Sequence, residues 1–73
     1  MIQKYKIGEL VIDMTTGRKM KIVYDDLGYF CNDQGNCHFN GIYRCCWIGK
    51  EGKIESEDFP QEQLEKALAA FLV

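Results

Sequence analysis

Around 19–24 and 42–48 side chains alternate with a period of two, the repeat of a β-strand whose side chains point to opposite faces in turn. The β-branched and apolar residues of 7–14, Ile-Gly-Glu-Leu-Val-Ile-Asp-Met, predict a first strand, and Thr-Thr-Gly at 15–17 predicts the turn that ends it. Met20, Ile22 and Tyr24 then alternate with Lys19, Lys21 and Val23, which predicts a second strand from about Lys19 to Tyr24. Two short β-prone runs, 29–31 and 37–39, flank the turn formers Asn32-Asp33-Gln34-Gly35-Asn36 and read as a hairpin. After a turn at Asn40-Gly41, residues 42–48 place Tyr43, Cys45 and Trp47 on one face and Ile42, Arg44, Cys46 and Ile48 on the other. Apolar groups on both faces predict a central strand.

A tight turn at 49–52 leads to residues 53–59, where Ile54 stands among charges as it would on an edge strand. Pro60 then suits a first helical position and Glu62 a first turn, while Leu64, Ala67, Leu68, Phe71 and Leu72 form an apolar stripe. The expectation is a C-terminal helix over 60–72 that plugs an open end of the sheet or, alternatively, pairs with a second copy. Together these elements predict a mainly β fold: a small barrel or strongly curved antiparallel sheet of about five strands with one C-terminal α-helix. At 73 residues there is room for a single core, so 1–73 is expected to form one domain.

The order of the pieces resembles the YodC-like family of small uncharacterised bacterial proteins. Its opening strand, glycine turn, second strand, Cys-x-Trp strand and Phe-Pro tail are matched by Ile7-Gly8-Glu9-Leu10-Val11, Gly17, Met20-Lys21-Ile22, Cys45-Cys46-Trp47, and Phe59-Pro60 with Leu64. The resemblance covers most of the chain and implies an SH3-like barrel without implying an activity. Asp13 stands where the family tends to have an apolar residue, and Thr16 replaces one glycine of a usual pair. Between Met20 and Trp47 the chain carries about a dozen residues more than the family pattern. The resemblance thus makes 29–39 an inserted hairpin.

Composition sharpens this picture only in part. Apolar residues at 47% and aromatics at 12% suffice for a core. The net charge of −2 hides an asymmetry, with Lys4, Lys6, Arg18, Lys19 and Lys21 in the first third and Glu51, Glu55, Glu57, Asp58, Glu62 and Glu65 in the last. No apolar run approaches the length of about 20 residues that spans a bilayer, so no membrane association is expected. The opening residues lack the apolar stretch of a secretory signal, and the expected location is cytoplasmic.

Four cysteines and one histidine raise the question of metal. The five-residue gap between Cys31 and Cys37 does not fit a zinc knuckle, and the adjacent Cys45 and Cys46 point to opposite faces. Cys31, Cys37, His38 and Cys46 are the only set that could converge on an ion, and the expectation is no metal and no cofactor. Cys31 and Cys37 could face each other across the hairpin, though a disulfide there would not persist in a reducing cytosol; Cys45 reads as a small buried hydrophobe. Neither His38 nor Ser56 has the neighbours of a catalytic set, so an enzyme is not expected.

The remaining chemistry is aromatic and basic. Tyr5, Tyr24, Tyr29, Phe30, Phe39 and Tyr43 could ring the mouth of a barrel, and Lys19 and Lys21 interleave with them. The reading is a non-catalytic binding module that takes a protein or peptide partner, with Tyr24, Tyr29, Phe30, His38, Phe39, Lys19 and Lys21 as its candidate binding residues. The alternatives are a homodimeric accessory protein and a single-stranded nucleic-acid binder, the latter disfavoured by the net charge.

Overall fold

The computed structural model describes residues 2–25, 29–31, 34–35 and 37–67, with residues 29–31 and 37 described in their backbone only. Among the described residues seven strands follow in chain order: β1 (Leu10–Asp13), β2 (Lys19–Tyr24), β3 (Tyr29–Cys31), β4 (Cys37–Phe39), β5 (Ile42–Ile48), β6 (Ile54–Pro60) and β7 (Leu64–Lys66). Five of them form one antiparallel sheet in the order β6-β5-β2-β1-β7, and β3 pairs with β4 in a separate two-stranded sheet. The hairpin therefore stands apart from the main sheet, in the connection between β2 and β5. As expected, β5 is interior and β6 is an edge.

Alternation decides which face is buried. Val11 on β1, Met20 and Ile22 on β2, Tyr43 and Cys45 on β5, Phe59 on β6 and Leu64 on β7 share the core face, joined by Tyr5 from the N-terminal arm and Phe39 from β4. Cross-strand register stacks these groups directly, with Val11 opposite Met20, Ile22 opposite Cys45 and Tyr43 opposite Phe59. Burying such side chains is worth about 1.5–3 kcal/mol each for the larger aliphatic and aromatic ones, which makes this one face the main source of stability.

Strands β6 and β7 follow one another in the chain yet lie at opposite edges of the sheet, joined only by a 3-10 turn at Gln61–Gln63. In a flat sheet those edges would be about 19 Å apart at about 4.8 Å per strand spacing. Three residues of 3-10 helix advance only about 6 Å. The sheet must curl, although β6 and β7 do not pair with each other among the described residues. It is a strongly curved, open five-stranded sheet.

The helix expected over 60–72 is not formed. Pro60 ends β6 in an extended conformation (φ −70°, ψ 146°), and Leu64 is extended too (φ −106°, ψ 149°). The competing structure wins because β1 needs a second partner. Asp13, Ile12 and Val11 pair with Leu64, Glu65 and Lys66, and the Ala67 amide donates to the Leu10 carbonyl at 3.0 Å. Leu64-Glu65-Lys66-Ala67 fits a period of two as well as one of 3.6, so tertiary pairing overrides the local preference. The rest of the expected stripe, Leu68, Phe71 and Leu72, lies outside the described residues.

Two smaller departures have local causes. Strand β1 begins at Leu10 instead of residue 7 because Gly8 adopts φ 95° in a turn that Glu9 closes, its carboxylate accepting from the Lys6 amide at 3.0 Å. A bulge between Ile22 and Tyr24 breaks the alternation of β2 and sets Tyr24 opposite Arg44, so Tyr24 is 46% exposed instead of sharing the core face with Ile22.

Buried polar groups fasten the curl. Gln61 is buried, and its Oε1 accepts from the Tyr43 hydroxyl and from the Lys4 amide at 2.9 Å. Its Nε2 donates to the Ile2 carbonyl at 2.9 Å. The Tyr43 hydroxyl also accepts from the Tyr5 amide at 3.1 Å, and the Tyr5 hydroxyl donates to the Leu64 carbonyl at 3.2 Å. Burial holds both phenols above their ordinary pKa, so they remain neutral donors.

At the other end of the turn, Gln63 Nε2 donates to Asp13 Oδ1 at 3.1 Å, and the Met14 amide donates to the Gln63 carbonyl at 2.9 Å. Asp13 is only 3% exposed and also accepts from the Thr15 amide and hydroxyl at 3.0 and 2.7 Å and from the Thr16 hydroxyl at 3.1 Å. Led by the bond from the Thr15 side chain, these donors hold the carboxyl at about 2 against an ordinary 3.8.

Replacing Gln61 by Ala strands the Tyr43 hydroxyl and two backbone groups, and is expected to lower the unfolding free energy by about 2–3 kcal/mol in urea titrations. A loss within experimental error of zero would show that the turn does not need this fastener. The stabilisation that Asp13 supplies is complete above about pH 4 and is lost as pH falls through about 2, because its folded pKa lies below its unfolded one. Urea midpoints measured from pH 5 to pH 2 should therefore fall less steeply for Asp13→Asn than for the natural chain; parallel curves would contradict this assignment.

Candidate functional site

The core face continues to Trp47, but there the sheet runs out. Trp47 is half-buried, packed edge-on against Phe59 with ring centroids 6.2 Å apart. Across the β5–β6 register it faces Glu55, whose Oε2 accepts from the indole N–H at 3.1 Å. Arg18, at the end of the β1–β2 turn, lays its guanidinium over the indole with 4.3 Å from Cζ to the ring centre. A stacked guanidinium gains cation–π attraction and keeps its N–H donors in a plane facing outward.

These residues wall a shallow groove of about 640 Å³ where the β1–β2 turn meets the β5–β6 turn. Lys50 and Lys53 add positive charge to its rim, and Ile48 adds apolar surface. Gly49 leaves room for the Glu55 side chain: a β-carbon there would lie 2.5 Å from Oε2 and 2.8 Å from Cδ. The groove combines an aromatic face, an apolar wall and oriented charged groups, the ingredients of a recognition site.

The residues singled out from sequence scatter. Lys19, Lys21 and Tyr24 are all exposed on β2, and Tyr24 lies opposite Arg44, which is bonded to Asp58 at 2.9 Å. His38 is exposed on β4. Phe39 does not reach a mouth: it is buried, with its ring 4.9 Å from that of Tyr43. Tyr5 and Tyr43 are likewise core residues. The side chains of Tyr29 and Phe30 lie outside the described residues.

Cys31 and Cys37 are register partners in the hairpin, with their side chains outside the described residues, whereas Cys46 belongs to the main sheet. Among the described residues no cluster of three or more His, Cys, Asp or Glu is placed to hold a metal ion. Cys45 is a free thiol sealed in the core, and burial pushes its pKa up to about 12, so it is no nucleophile. Among the described residues no helix is long and apolar enough to cross a membrane.

Sequence reasoning missed Arg18, Trp47 and Glu55 as site residues because their meeting depends on pairing register. The readable signal was the tight turn at 49–52, which folds Glu55 back toward Trp47. Compared with family models, curated proteins and solved structures, the chain matches none of them.

Substituting Gly49 by Ala should drive Glu55 away from the indole while leaving the sheet folded. The indole N–H proton resonance of Trp47 is then expected to move upfield, with a stability loss below about 1.5 kcal/mol. An unmoved resonance would show that Glu55 is not held there.

Proposed function

We propose that this chain is a non-catalytic binding module, and that it takes a peptide segment of a protein partner in the Trp47 groove. The observation that carries the reading is Trp47 itself, a half-buried indole whose N–H is fixed by Glu55 and whose face is covered by Arg18. Such rigid aromatic anchors, partly apolar and flanked by oriented polar groups, are what peptide-recognition surfaces are built around. The candidate residues Lys19, Lys21 and Tyr24 extend the same sheet and belong to a second contact area in this reading.

The finer fold assignment goes with it. A four-strand run β1, β2, β5 and β6, then a 3-10 turn and a last strand pairing with the first, supports reading the curved sheet as an SH3-like barrel that is open along one seam. The YodC-like resemblance is part of the same proposal, since its motif residues fall mainly on β1, β2, β5 and β6 in the expected order.

The test is selection of displayed random peptides on the immobilised chain. Enriched peptides are expected to bind with micromolar affinity and to lose about tenfold or more against both Trp47→Ala and Trp47→Phe, the latter keeping a ring against Phe59. No enrichment, or binding to either variant as tight as to the natural chain, would overturn the reading.

A further inference from the structure

The groove's charges are not equivalent. Glu55 is engaged by the indole N–H, and Glu51 lies 3.8 Å from Lys53. Among the described residues the Arg18 guanidinium makes no hydrogen bond or ion pair, only its contact with the ring. Its backbone is fixed: the Arg18 amide donates to the Thr16 hydroxyl at 3.2 Å, and its carbonyl accepts from the Asp13 amide at 2.9 Å. Stacking on Trp47 fixes the far end as well. The result is a guanidinium held at both ends, lining a groove that also carries Lys50 and Lys53.

From this arrangement we infer that Arg18 is a carboxylate clamp, and that the groove takes an acidic peptide, with an Asp or Glu side chain set against Arg18 and a neighbouring apolar side chain against Ile48. The inference rests on the peptide-binding reading above and specifies its ligand. Two parallel N–H donors match the two oxygens of a carboxylate, and a guanidinium already stacked loses little freedom on binding. Glu55 strengthens the arrangement, since a carboxylate accepting from the indole N–H enriches the ring that holds the cation. Groove charge is complementary to one carboxylate: Arg18, Lys50 and Lys53 stand against Glu51 and Glu55.

A nucleic acid would bring a continuous row of phosphates instead. That row would run against Glu55 and Glu51 in the groove and Glu57 and Asp58 further along β6, whereas an isolated carboxylate next to an apolar group meets only Arg18 and its neighbours. The geometry favours the peptide.

The experiment uses fluorescent short-peptide mixtures randomised everywhere except a central Glu, Gln or Lys, titrated against the natural chain, Arg18→Gln and Arg18→Lys, with oligothymidylate as a further probe. The Glu mixture is expected to bind the natural chain about tenfold more tightly than the Gln mixture. Arg18→Gln should remove that preference and Arg18→Lys should restore only part of it, since an ammonium keeps the charge without the planar fork. Arg18 lies on an exposed turn, so both variants should fold, and circular dichroism checks that they do.

If the Glu and Gln mixtures bind equally, or the Lys mixture binds best, the clamp is refuted while peptide binding stands. If no mixture binds, the peptide reading falls and the clamp with it. Tighter binding of oligothymidylate, weakening steeply with salt, would overturn the carboxylate in favour of phosphate.

Discussion

Everything in this fold depends on a three-residue connection that spans the two edges of its sheet. Because Gln61–Gln63 must reach from β6 to β7, the sheet has no choice but to curl, and the curl is what gives so few residues an inside. A flat sheet of this size would leave one face of apolar groups in water. The connection survives because each of its ends carries a glutamine whose amide is consumed by buried or half-buried partners. Gln61 ties the turn to Tyr43 and the N-terminal arm, and Gln63 ties it to Asp13.

The same fasteners reach the groove. Asp13 organises the turn that follows β1, receiving the Thr15 and Thr16 side chains and, through its carbonyl, the Gly17 amide at 2.7 Å. Gly17 can close that turn because it tolerates φ 76°. The turn then returns the chain at Arg18, whose carbonyl is bonded to the Asp13 amide. A buried carboxylate thus sets where an exposed guanidinium begins, and Trp47 sets where it ends. Preorganisation of the groove is a consequence of the sheet's curl.

What the sequence made legible follows physical scale. Strand β2, the interior strand β5, the edge character of β6 and the separate hairpin were readable because two-residue alternation and turn chemistry act within a few positions. The C-terminal segment was not, since Leu64 through Ala67 satisfies both a helical and an extended pattern and the deciding partner, β1, is more than fifty residues away in the chain. The burial of Asp13 and Gln61 was not readable because a polar side chain reveals burial only through partners, and those that hold these two include distant segments. The bulge that turns Tyr24 away from the face of Ile22 was not readable either, since a bulge is a property of the pairing with no mark in the alternation itself. The aromatic candidates split because burial depends on pairing: Phe39 and Tyr43 meet in the core, whereas Trp47, near the end of β5, is only half-buried against Phe59.

The uneven distribution of charge along the chain acquires a geometric meaning in the sheet. The acidic last third supplies β6, whose Glu55, Glu57 and Asp58 lie along an edge that has no strand partner among the described residues. Unpaired edges invite other strands, and charges along them are the usual defence. In the proposed reading, carboxylates along the edge repel the same acidic peptide that Arg18 and Lys50 attract to the groove. The two features then act together: an acidic peptide is disfavoured along this edge and meets complementary charge at the end of the sheet, where Arg18 lies over the half-buried indole.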